Sequence, residues 1–195
     1  MEADPVATVK VKGAQVGRSF WLWWVLASFV GWAGGSFVSD TAGDAVGEVW
    51  FDSLGLILLG TSIGSMQWLL LRHQVSWGRW WVVANIAGWA LGALVNLPWG
   101  LATGWIVGLV VAGVMQWVVL RRQVSRAIWW GLGSFVAWAA GVGISLALPW
   151  CTGPCSGAVF GVVVGAITGV VLMWLLRQPR SEAPVRLAGD ELPAR

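Results

Sequence analysis

The chain has 195 residues, of which 57% are hydrophobic and 11% are charged, against about 45–50% and about 25% in soluble globular domains. Residues 80–120 and residues 127–176 contain no charged side chain, which excludes an ordinary soluble domain. The net charge of +3 and the pI near 9.5 come from Lys and Arg in short polar turns, a pattern typical of a membrane protein and not of a nucleic-acid-binding one.

Six apolar segments are long enough to cross a bilayer, which requires about 20 residues each. We predict helices at approximately residues 20–39, 53–71, 79–97, 101–120, 128–148 and 157–176. The expected fold is all-α and polytopic, with a transmembrane domain over residues 19–178. Residues 1–18 are expected to form a cytoplasmic N-terminal segment. Residues 179–195, rich in Pro, Ala and charge, are expected to form a disordered cytoplasmic tail.

The helices repeat in pairs. Residues 66–89 recur as residues 115–138, with identity at 11 of 24 positions, and the first helix shares a Trp-Trp-Val start with the third. The chain is therefore interpreted as three parallel two-helix repeats, at approximately residues 19–73, 74–122 and 123–178. The third repeat has diverged, because its last helix keeps only the WLLRQ sequence that begins at Trp174.

The orientation follows from the basic residues. With six crossings, all 12 Lys and Arg residues fall on one side. The positive-inside rule then places both termini in the cytoplasm, in a cell membrane that is expected to be a bacterial inner membrane. The opposite side has Asp40, Asp44, Glu48 and Asp52 in what is predicted to be its longest loop. Four carboxylates without EF-hand spacing are expected to bind a cation weakly at most.

Eighteen tryptophans and regularly spaced glycines dominate the helices. We expect an aromatic belt at the cytoplasmic helix ends and a second one at the other interface; the first contains Trp23, Trp24, Trp80, Trp81, Trp129 and Trp130, and the second Trp50, Trp99, Trp105 and Trp150. Glycines four apart, such as Gly60 and Gly64, indicate closely packed helices or, alternatively, a pore lining. Near mid-membrane, Trp32, Trp89 and Trp138 either pack over glycines or form a wall for a flat apolar ligand such as a sterol-like lipid or a pigment.

Five polar side chains fall at similar depth and form a candidate polar layer: Ser28, Gln67, Asn85, Gln116 and Ser134. The sixth position, near Leu172, is apolar. Such a layer either stabilises the bundle by hydrogen bonds between helices or binds a polar uncharged group. No charged residue lies deep inside a crossing, so the residues that couple ions to transport in a driven transporter are missing.

Other chemistry is sparse. Cys151 and Cys155 lie in an outer turn, where they can form a disulfide, remain free thiols or serve metal or redox chemistry. His73 is interpreted as a solvated turn residue. No nucleophile elbow, phosphate loop or zinc-protease motif occurs, so we expect no catalytic residues and no metal site.

A G-x-x-x-G…QW-x-x-LR-x-Q pattern runs through the first two repeats; its residues are Gly60, Gly64, Gln67, Trp68, Leu71, Arg72 and Gln74, then Gly108, Gly113, Gln116, Trp117, Leu120, Arg121 and Gln123. In the second copy the glycines are five apart. The pattern resembles a loosely defined group of uncharacterised bacterial polytopic membrane proteins, over roughly residues 20–178. The resemblance implies no activity and assigns no residue a role.

Two functions remain from the sequence. The first is a non-enzymatic scaffold, accessory subunit or apolar-ligand-binding bundle, and the second is a passive channel or facilitator for a small uncharged solute that crosses the polar layer. The expected partners are the lipid bilayer and either another membrane protein or a second copy of the chain, without nucleic acid. No cofactor is expected beyond a bound lipid or pigment.

Overall fold

The computed structural model describes residues 16–46, 48–74 and 78–178, except for the side chains of residues 42–51. The described residues form six α-helices: α1 (Arg18–Val46), α2 (Glu48–Leu71), α3 (Arg79–Trp99), α4 (Leu101–Leu120), α5 (Ile128–Ala147) and α6 (Gly153–Leu176). All six are long and apolar enough to cross a membrane, which confirms that part of the prediction. Residues 1–15 and 179–195, predicted to be cytoplasmic segments, lie outside the described residues.

The first two helices are longer than predicted. α1 continues to Val46 and α2 begins at Glu48, so the predicted long acidic loop is wrong. This segment contains no proline, and its alanines and Glu48 are compatible with a helix. The loss of apolar character at Asp40 therefore does not mark the end of the helix, which continues to Val46. Asp44 and Glu48 lie on helices, but their side chains are outside the described part.

The other two connections on this side are short. α3 includes Pro98 in its last turn, and Gly100 then reverses the chain with φ of 83°, a conformation that favours glycine. The Gly100 N–H donates to the carbonyl of Asn96 at 2.8 Å. α5 ends at Ala147, and a disulfide between Cys151 and Cys155 joins the following turn to the start of α6.

The helices are arranged as a closed ring. Each helix packs against the next one in the chain, and α6 returns to pack extensively against α1. Among neighbours in the ring, the α4–α5 contact is much the smallest. The ring therefore has one loose seam, and its interior receives side chains from all six helices.

The described residues bury several polar side chains as well as apolar ones and leave many large apolar side chains exposed. The buried residues include a polar set consisting of Ser28, Ser53, Gln67, Asn85, Asn96, Gln116, Ser134 and Thr168, whereas many Leu, Val, Ile and Phe side chains are exposed. Lipid accepts an apolar exterior, and buried polar groups then find partners inside the bundle. Glycines bring the backbones close together: a Cβ on Gly88 would lie 2.5 Å from the backbone nitrogen of Ala112.

Candidate functional site

Three buried indoles close one end of the ring. Trp24, Trp81 and Trp130 are 0%, 1% and 2% exposed. Their ring centroids are 6.1 Å (Trp24–Trp81), 6.3 Å (Trp24–Trp130) and 5.1 Å (Trp81–Trp130) apart, all in edge-to-face geometry. We call this cluster the tryptophan layer. It occupies the end of the bundle where the basic turns lie.

The position of the tryptophan layer differs from the predicted cytoplasmic belt, because three of the six predicted belt residues are buried in the layer. Each of its members is the second residue of a Trp-Trp pair, and the first residues, Trp23, Trp80 and Trp129, are exposed. Consecutive helical residues point about 100° apart, so the two members of a pair face different environments. The belt prediction was therefore wrong for Trp24, Trp81 and Trp130.

Each indole N–H in the tryptophan layer donates to a polar side chain on the preceding helix of the ring. Trp81 Nε1 donates to Gln67 Oε1 at 2.9 Å, and Trp130 Nε1 donates to Gln116 Oε1 at 3.2 Å. Trp24 Nε1 donates to Thr168 Oγ1 at 3.1 Å, across the α1–α6 contact. Because a buried indole N–H requires an acceptor, these three bonds explain why polar side chains recur at these positions.

Thr168 was missed as the sixth polar position. The prediction aligned the third repeat by its WLLR sequence and therefore chose Leu172, which is one helical turn away. A better signal is the glycine three residues earlier: Gly64 precedes Gln67, Gly113 precedes Gln116, and Gly165 precedes Thr168. In the structure, Leu172 is buried among the apolar residues around the tryptophan layer.

The QW-x-x-LR motif separates into an inward and an outward face. Gln67 bonds to the tryptophan layer, while the guanidinium of Arg72 lies 5.8 Å from the ring centroid of Trp68. In the second copy, Arg121 lies 5.0 Å from the Trp117 ring. Residues four apart share a helix face, so each Trp–Arg pair makes a cation–π contact at the end of its helix.

Four of the five predicted polar residues line one small central cavity together with Thr168; they are Gln67, Asn85, Gln116 and Ser134. Gln67 Nε2 donates to Ser28 Oγ at 3.3 Å, and Asn85 Nδ2 donates to the carbonyl of Trp81 at 2.9 Å. The cavity is about 30 Å³ in volume, and Ser28 is the one predicted polar residue that does not line it. Ser134 Oγ is buried and has no hydrogen-bond partner in the described part of the chain.

A second aromatic cluster lies beyond the central cavity. Trp32 and Trp89 are 5.9 Å apart, and Trp105 lies 6.0 Å from Trp32 and 5.1 Å from Trp89. Phe160 is 4.4 Å from Trp32. Trp105, predicted to lie near the outer interface, is half-buried, and its ring packs against Trp32 and Trp89.

The third predicted wall residue, Trp138, is placed differently. It lines the central cavity from α5 and packs against Gly113. Among the described residues, no ring contact joins it to Trp32 or Trp89. The structure therefore brings two of the three predicted wall residues into contact.

A larger outer cavity of about 270 Å³ lies on the other side of this cluster. Its lining includes the aromatic rings of Trp32, Trp105 and Phe160 and the carboxylates of Asp40 and Asp52. Trp32 lines both cavities. No Lys or Arg occurs between Arg18 and Arg72, or between Arg126 and Arg177, so helices α1, α2, α5 and α6 bring no basic side chain to the outer cavity.

The site offers hydrogen bonds, aromatic faces and negative charge. Within the described residues, no group of His, Cys, Asp and Glu is arranged to hold a metal ion. His73 lies exposed in its turn and accepts a hydrogen bond from Arg72 Nε at 3.0 Å. The chain matches no family model, no curated protein and no solved structure, so its function has to be inferred from this geometry.

Proposed function

We propose that the chain is a multi-pass protein of the cell membrane, a bacterial inner membrane, with both termini in the cytoplasm. The distribution of Lys and Arg supports this orientation. We also propose that three parallel hairpins surround one axis. The matching positions of Trp24, Trp81 and Trp130 in the repeats, and the three equivalent bonds that they donate, support this arrangement.

We propose that the protein is a non-enzymatic, ligand-binding membrane component whose outer cavity takes a small organic cation. The observation that carries this proposal is the combination of an aromatic floor with two carboxylates in one cavity. The faces of Trp and Phe rings attract cations, and carboxylates add charge attraction. At about 270 Å³ the cavity is close to the lower end of small-molecule pockets, which measure about 300–1,000 Å³.

The closed inner end supports binding rather than continuous conduction. The tryptophan layer is almost fully buried, and its three N–H groups are all bonded. A ligand in the outer cavity therefore meets a blocked path toward the basic end of the bundle. The apolar exterior contacts lipid, and it is also where another membrane protein or a second copy would dock if the chain acts as an accessory subunit.

The binding proposal is tested with choline and its neutral isostere, 3,3-dimethyl-1-butanol, by calorimetry on the detergent-purified protein. We expect choline to bind more tightly than the alcohol, because only choline interacts with the carboxylates and ring faces as a cation. Asp52→Asn and Trp105→Ala are each expected to weaken choline binding by roughly tenfold, or about 1.4 kcal/mol.

Trp150→Ala is the matched control for Trp105→Ala, because Trp150 is highly exposed and does not line the outer cavity. It should leave choline binding unchanged. Equal binding of the two probes would refute the cation specificity, and the absence of binding by either probe would refute the choice of this cavity for a ligand of this size.

A passive facilitator is the second candidate, favoured by the fact that Trp32 lines both cavities. Passage of a solute would require movement of Trp32 and an opening of the tryptophan layer, which closes the inner end. In proteoliposomes, a facilitator should conduct a small neutral solute such as urea, and Gln116→Leu should reduce that flux. Choline binding without urea flux would favour the first function.

A further inference from the structure

We propose that the central cavity is a binding site for water, in which one or two molecules bridge Ser134 to Thr168. This site is separate from the outer cavity of the proposed function. Its lining comes from all six helices and includes five polar side chains among apolar ones. A cavity needs about 10–15 Å³ to hold a water molecule and several polar partners to retain it, so a volume of about 30 Å³ is sufficient for one or two.

In the first hairpin, the equivalent polar side chains, Gln67 and Ser28, are bonded directly to each other. Gln67 on α2 has two roles: its Oε1 accepts from Trp81 Nε1, and its Nε2 donates to Ser28 Oγ on α1. One amide thus connects the tryptophan layer to the serine of its own hairpin. The amide is long enough to span both partners and carries both a donor and an acceptor.

The third hairpin has the same serine position but a shorter partner. Ser134 corresponds to Ser28, and Thr168 stands where Gln67 stands. Thr168 Oγ1 accepts from Trp24 Nε1 and donates its only proton to the carbonyl of Val164 at 2.6 Å, so it has no donor left for Ser134. Ser134 Oγ consequently has no partner in the described part of the chain, although the residue is 2% exposed.

A water molecule can supply the hydrogen-bond partner that Ser134 Oγ lacks. A hydroxyl has one donor and two acceptor sites, so Thr168 Oγ1 retains one acceptor site and Ser134 Oγ retains all of its capacity. A water molecule can donate to Thr168 and either donate to or accept from Ser134, so that it reaches the serine as the Gln67 amide reaches Ser28 in the first hairpin. Asn85 and Gln116, which also line the cavity, provide further polar neighbours.

The test combines a high-resolution structure with the stability of matched variants in detergent. We expect electron density for water within hydrogen-bonding distance of Ser134 Oγ. Ser134→Ala should lower the melting midpoint by about 2–4 °C, as expected for the loss of roughly one hydrogen bond in a chain of this size. Ser28→Ala, which removes the directly bonded equivalent, should lower the midpoint similarly.

If the cavity were dry, Ser134→Ala would be expected to change the melting midpoint in the opposite direction. An unbonded buried hydroxyl is unfavourable, so Ser134→Ala would then raise the midpoint or leave it unchanged while Ser28→Ala still lowered it. That result, or clear density showing no water at Ser134, would overturn the proposal. Thr168→Gln gives an independent check, because it places an amide where Gln67 has one. The amide should bond to Ser134 directly, and the water should then be displaced from the cavity while Ser134 keeps its position.

Discussion

At the scale of single residues, the inner end of the bundle depends on where three indole N–H groups find acceptors. Gln67, Gln116 and Thr168 each accept one of them. A glutamine in an apolar helix is costly unless its amide is bonded, and a buried indole has the same requirement. The Gln–Trp bond meets both requirements at once, which explains why Gln67 recurs together with Trp81, and Gln116 together with Trp130.

Replacement of Gln116 by Leu should destabilise the bundle. The change leaves the buried N–H of Trp130 without its acceptor, and we expect a loss of about 1–3 kcal/mol in the free energy of unfolding. The value should fall toward the lower end, since hydrogen bonds in membrane proteins contribute about 0.6–2 kcal/mol. Unfolding in mixed micelles measures the change.

The specificity of this effect is checked by a double-mutant cycle with Trp130→Phe, which removes the N–H and keeps an aromatic ring. If the bond exists, Gln116→Leu should cost less in the Trp130→Phe background than in the native one. Strictly additive effects would mean that the two side chains do not interact. Gln74→Leu, in the turn after α2, serves as a control for the loss of a glutamine elsewhere.

The sequence shows which side chains in the apolar helices are polar, but it predicts only partly which side chains point into the bundle. Polar side chains are conspicuous in an apolar helix, and this identifies the candidate polar layer of Ser28, Gln67, Asn85, Gln116 and Ser134. The inward tryptophan of each pair could not be chosen in this way, since Trp23 and Trp24 are chemically identical. The choice depends on which face each helix turns toward the ring, and that is decided by contacts between segments such as Trp24 and Thr168, which are 144 residues apart.

At the scale of helices, glycine determines how closely neighbours approach. Gly88→Ala should force α3 away from α4, because the added Cβ would meet the backbone of Ala112 at 2.5 Å and 2.6 Å. We expect a loss of about 1–3 kcal/mol from overpacking. Thermal unfolding in detergent is the measurement.

Gly143→Ala on α5 is the matched control. A Cβ there meets nothing within 4 Å, and alanine favours a helix over glycine by up to about 1 kcal/mol. We therefore expect this variant to be as stable as the native protein or slightly more so. Equal destabilisation by both variants would contradict the close approach of α3 and α4.

One departure from the repeat coincides with the loose α4–α5 seam. Gly60 on α2 faces Trp89, and Gly161 on α6 faces Trp32. The corresponding residue of α4 is Leu109. Trp138 packs instead against Gly113, one turn further along α4, and the two helices make only a small contact.

Leu109→Gly should therefore bring α4 and α5 together. Spin labels on two exposed positions, Val114 of α4 and Val136 of α5, should move closer by roughly 1–2 Å, since well-packed helix axes lie about 8–10 Å apart. A label pair on Val83 and Val114 reports the α3–α4 distance and should not change. An unchanged α4–α5 distance would show that Leu109 does not cause the seam.

At the scale of the whole molecule, the number of spanning helices is the most predictable feature. Each spanning segment is a local property of composition and length, and all six were found without knowledge of their neighbours. The ends of α1 and α2 were less predictable, because a helix can continue beyond the apolar part that crosses the membrane. The return of α6 to α1 was not predictable from local patterns, since it joins the two ends of the described chain.

The proposed orientation predicts opposite accessibility for the two kinds of turn. In a Cys151→Ser variant, the exposed Cys155 should react with a membrane-impermeant thiol reagent added to intact cells. With both cysteines replaced by serine, Ser125→Cys, in the basic turn after α4, should react only after the cells are opened. Labelling of both positions from the same side would refute the six-crossing topology.

The tryptophan layer has a consequence for the energetics of any membrane that contains this protein. Protons travel rapidly along files of hydrogen-bonded water, so a wet centre that reached both surfaces would short-circuit an electrochemical gradient. Trp24, Trp81 and Trp130 interrupt such a file with three packed rings whose N–H groups are already engaged. If the central cavity holds the proposed water in a bilayer, these rings would therefore keep that water from joining a continuous file to the basic end of the bundle.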